Sequence, residues 1–70
     1  MLDDHTRFQA NDELALLNAI SNTEVAAKKA DLFAELAKED MVRKFFQNRA
    51  ETLKGVNDNL RKHLDKLGGS

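Results

Sequence analysis

The chain contains no cysteine and no proline, and only three glycines among its 70 residues. Without cysteine there are no disulfides and no thiolate metal sites, the usual staples of a chain this small. Without proline no residue breaks a helix from within, and no glycine falls between Leu14 and Lys38. Long hydrophobic runs are missing as well. No apolar stretch approaches the ~18 residues needed to span a bilayer, and nothing near Met1 has the charged-then-apolar form of a secretory leader. The expectation is a soluble cytoplasmic chain with no membrane partner. A basic excess is also absent: the formal net charge is -1, which argues against a general nucleic-acid binder.

What is present is amphipathic helix. Val42, Phe46, Arg49, Leu53, Val56, Leu60, His63 and Leu67 recur in alternating steps of four and three, which places them on one helical stripe. A second stripe runs earlier through Leu16, Leu17, Ile20, Ala27, Ala30, Phe33, Ala34 and Ala37, with Leu14 and Leu36 at its margins. Asn11 suits an N-cap, with Asp12 and Glu13 favourably placed in the first turn. Ser21 to Glu24 reads as a capping box that would start a new helix, but the apolar phase continues across it, so one helix with a weak or bent middle is preferred.

The pattern re-phases at Lys38, Glu39 and Asp40, where Asp40 can cap the next helix. The sequence therefore predicts an N-terminal arm over residues 1–10 tethered by Phe8, a helix over 11–38, a second over 41–67, and a flexible tail over 68–70. A corner this short makes the two helices antiparallel neighbours. Folding there brings Phe33 to Phe46, Ala27 to Leu53, Ile20 to Leu60 and Leu16 toward Leu64 and His63. Asp31 comes close to Arg49, and the two are expected to form a charge pair that fixes the register.

Few residues point to chemistry. His5 and His63 are the only histidines, and His63 reads as a half-buried seam or helix-end residue. Ser21 and His63 approach across the hairpin with no third member and no nucleophile elbow, so hydrolase chemistry is not expected. Charge is uneven: residues 1–40 hold nine acids and four bases, and residues 41–70 hold three acids and seven bases. This reads as complementarity between neighbouring helices, with a basic face for an acidic partner as the sharper alternative. Gly55 interrupts a good helix, and close approach of another helix near Glu24 is its preferred explanation.

With Glu24 on the first helix, a corner at Lys38 to Asp40, and Met41-Val42-Arg43-Lys44-Phe45-Phe46 opening the second, residues 14–67 resemble half of a ferritin-like bundle. The likeness is to the short two-helix relatives of the spore coat F type. That resemblance implies a four-helix bundle, and metal-binding cousins carry a Glu-x-x-His facing the first Glu. Here the matching positions are Glu51-Thr52-Leu53-Lys54. Lysine replaces the imidazole, and a protonated lysine cannot ligate a cation.

The resulting expectation is an all-α antiparallel hairpin that dimerises into a four-helix bundle, because Phe45, Leu14, Leu17, Leu36 and Leu64 widen the stripes beyond what two helices need. No catalytic residue, metal ligand or cofactor is expected. The partner is a second copy or another protein, with no nucleic acid and no membrane. The expected function is a non-enzymatic structural or protein-interaction module, spore-related through the resemblance. The alternative is a metal- or ligand-binding bundle with a degenerate site.

Overall fold

The computed structural model describes the backbone of residues 4–69 and the side chains of residues 11–67. It is two helices, α1 (Asp4–Leu36) and α2 (Asp40–Gly69), packed against each other. Helix α1 begins seven residues before Asn11, so the segment expected to be an arm is helical from Asp4, and Asn11 lies inside the helix instead of capping it. The first three residues and the tether expected of Phe8 fall outside the described backbone and side chains. At the other end α2 continues through Gly68 to Gly69, where a flexible tail was expected.

α1 is continuous through Ser21–Glu24, as the unbroken apolar phase predicts. Within that stretch the Thr23 hydroxyl turns back to the carbonyls of Ala19 at 2.9 Å and Ile20 at 3.1 Å, the bonding of a threonine inside a helix.

The corner is Ala37, Lys38 and Glu39, and it closes without glycine. Arg43 does the work that a glycine cap would otherwise do. Its Nη2 donates to the Ala37 carbonyl at 3.2 Å, its Nη1 to Asp40 Oδ1 at 3.3 Å, and its backbone N–H starts α2 on the Glu39 carbonyl at 3.0 Å. Asp40 thus spends its carboxylate on Arg43. An arginine reaching the last carbonyls of a helix also opposes the negative end of the dipole.

The helices meet along two heptad-spaced rows. On α1 the row is Leu16, Ile20, Thr23, Ala27, Ala30 and Ala34, continued by Ala37 at the corner; on α2 it is Phe46, Ala50, Leu53, Asn57, Leu60, Leu64 and Leu67, all of them buried or half-buried. Stepping along both rows from the Thr23–Asn57 contact brings Ala27 level with Leu53, Ala30 with Ala50, and Ala34 with Phe46. The facing positions expected from the sequence are therefore close to those found, and Phe33 does meet Phe46, with ring centroids 5.2 Å apart.

The α2 row is not the predicted one. Arg49, Val56 and His63 were expected in the seam; Ala50, Asn57 and Leu64 occupy it, and the three expected residues are exposed. Both readings share the four-three spacing and differ by one residue at alternate steps. Close approach decides between them, since Ala50 at 1% exposure opposite Ala30 at 4% lets the backbones come together where an arginine would hold them apart.

An alanine seam buries little apolar area. The fully enclosed hydrophobic set is Ile20, Ala27, Ala30, Ala34 and Ala50, and no large side chain among the described residues is completely covered. The molecule measures 56 × 18 × 12 Å, two helices wide and one helix thick. Stable domains pack at least two layers, so one layer leaves a broad face uncovered.

Gly55 faces open space, with nothing within 4 Å of a Cβ built there, so the close approach expected of it is not present within the chain. Gly55→Ala is accordingly expected to stabilise the fold by about 1 kcal/mol, raising Tm by about 5 °C in a thermal melt. A lower Tm would show that another helix approaches Gly55 closely.

Candidate interaction surface

The seam's one buried polar residue sets the geometry around it. Asn57, 9% exposed, donates from Nδ2 to the Ile20 carbonyl at 2.8 Å and to Thr23 Oγ1 at 2.9 Å. Its Oδ1 accepts from Arg61 Nε at 2.8 Å, and Arg61 Nη2 lies 3.7 Å from Glu24 Oε1. Among the described residues no buried side-chain nitrogen or oxygen is left without a partner. A complete network of this kind stabilises only the register that completes it, because any slip strands an amide against alanine and leucine.

Asp31 belongs to the same side of the molecule. It pairs with Lys54 Nζ at 3.1 Å, and the expected Asp31–Arg49 pair does not form. The reason is the shifted α2 row: with Ala50 and Leu53 in the seam, Lys54 comes to the Asp31 edge while Arg49 turns to the opposite one. Lys54 is therefore at the helix–helix boundary. Asp31–Lys54 and Glu24–Arg61 have side chains about half exposed, and each contributes a few tenths of a kcal/mol. Their effect is to define a charged side, made of Glu24, Lys28, Asp31 and Glu35 on α1 and Arg43, Gln47, Lys54 and Arg61 on α2. A cleft of about 190 Å³ there mixes Glu24, Asp31 and Asp58 with Lys28 and Lys54. Among the described residues no group of three or more His, Asp or Glu side chains is gathered in a way that could hold a metal ion.

The opposite, open side mixes apolar residues with a few cations. Val42, Arg49, Val56 and His63, and beside them Phe45, Thr52, Asn59 and Lys66, follow one another at helical spacing on this side of α2, and Ala15, Asn22, Lys29, Ala26 and Phe33 share it on α1. Phe45 is 62% exposed, Met41 83%, Phe33 48%, Val56 42% and Val42 40%. The rings cluster near the corner: Phe45 stands edge-on to Phe46 at 5.1 Å, and Phe46 bridges to Phe33. At the far end the same side opens into a groove of about 470 Å³ lined by Asp12, Ala15, Leu16, His63, Lys66 and Leu67.

Of the residues expected in the core or interface, Ile20, Ala27, Ala30 and Ala34 are buried, and Leu16, Phe46, Leu53, Leu60, Leu64 and Leu67 are half-buried in the seam. Phe33, Val42, Phe45 and Val56 are on the open side. Leu17 is exposed and lies in line with Glu24 on the charged side. Leu14, Val25, Leu32 and Leu36, between 50% and 67% exposed, form a further stripe on the outer surface of α1. The seam residues that the sequence reading passed over are Thr23, Ala50 and Asn57. The heptad from Phe46 to Leu67 signalled Ala50 and Asn57, but because it contains an asparagine and an alanine it competed with a row that looked greasier.

No helix among the described residues is long and apolar enough to cross a membrane. Comparison of the chain with family models, with curated proteins and with solved structures gives no match.

The network yields a direct test by chemical denaturation. Asn57→Ala removes the hydrogen bonds to the Ile20 carbonyl, Thr23 Oγ1 and Arg61 Nε and is expected to cost about 2 kcal/mol. Asn59→Ala, two residues along on the exposed surface, is expected to change stability by no more than about 0.5 kcal/mol. Equal effects would mean that Asn57 is not enclosed.

Proposed function

We propose that this chain is a non-enzymatic helical module that works by association, with a second copy of itself as partner, to give a four-helix bundle. The observation that carries the reading is a hairpin one helix thick, 12 Å, whose surface leaves Phe33, Met41, Val42, Phe45 and Val56 between 40% and 83% exposed. A chain with an alanine seam and its largest side chains outside gains most of its available burial only when a second layer arrives. The likeness of residues 14–67 to ferritin-like half-bundles supports the same architecture. It also gives the proposed setting, a spore-associated or other cytoplasmic assembly in which the bundle is a structural part or an adaptor.

Folding and association are coupled in such a molecule, so Tm rises with protein concentration. Sedimentation equilibrium at micromolar concentration is expected to return twice the chain mass, and differential scanning calorimetry a concentration-dependent Tm. A folded monomer with a concentration-independent Tm would overturn the proposal.

A further inference from the structure

We draw no further inference here: the strongest candidate, the open side of the hairpin on which Phe33, Val42, Phe45 and Val56 stand exposed with Lys29, Arg49 and Lys66 among them, carries nothing, because nothing in the structure shows what covers it.

Discussion

The Asn57 amide is held between the Ile20 carbonyl and the Thr23 hydroxyl, in the middle of a seam made mostly of alanine and leucine. Alanine rows interlock weakly, because they offer little volume to distinguish one register from the next. A buried amide supplies what they lack: its bonds are complete in one alignment and broken in the others. From that alignment follow the level of Phe33 with Phe46 at the corner, the two ion pairs on the charged side, and the groove between Leu16 and Leu67 at the far end.

Close approach along the seam has a consequence for everything outside it. Small residues facing inward push bulky ones outward, which is why Phe33, Phe45, Met41 and several leucines stand on surfaces instead of in a core. The division of those surfaces is uneven. One side is occupied by Glu24–Arg61 and Asp31–Lys54, charges that have already found partners within the chain; the other carries the exposed rings near the corner and a groove at the far end, with Arg49 between them. Association through the charged side would require desolvating paired ions for little gain, whereas the open side carries Phe33, Val42, Phe45 and Val56, with Arg49 among them.

The hairpin itself was legible in the residues. The shift of phase at Lys38 to Asp40 marked the corner, and the unbroken phase through Ser21 to Glu24 marked a single first helix. Facing pairs followed from the fold-back alone, because antiparallel helices of equal pitch have one free parameter. The register charge pair was not legible. Arg49 attracted attention as a cation among apolar neighbours, yet Asp31 is met by Lys54, and the difference turns on a rotation of α2 too small for a hydrophobic pattern to resolve when Val56 and Asn57, or His63 and Leu64, compete for the same place. The early start of α1 at Asp4 was missed for a related reason: the first ten residues have no sustained apolar period, and helicity there comes without one.

By itself the sequence determined two helices, their order, their antiparallel course and a surplus of apolar side chains beyond what two helices cover, since each of these depends on spacing along one chain. The tertiary structure alone decided which of two equally spaced rows turns inward, and with it which side is charged and which is open. That choice rests on how near two backbones can come, and nearness is a property of the pair of helices that neither contains.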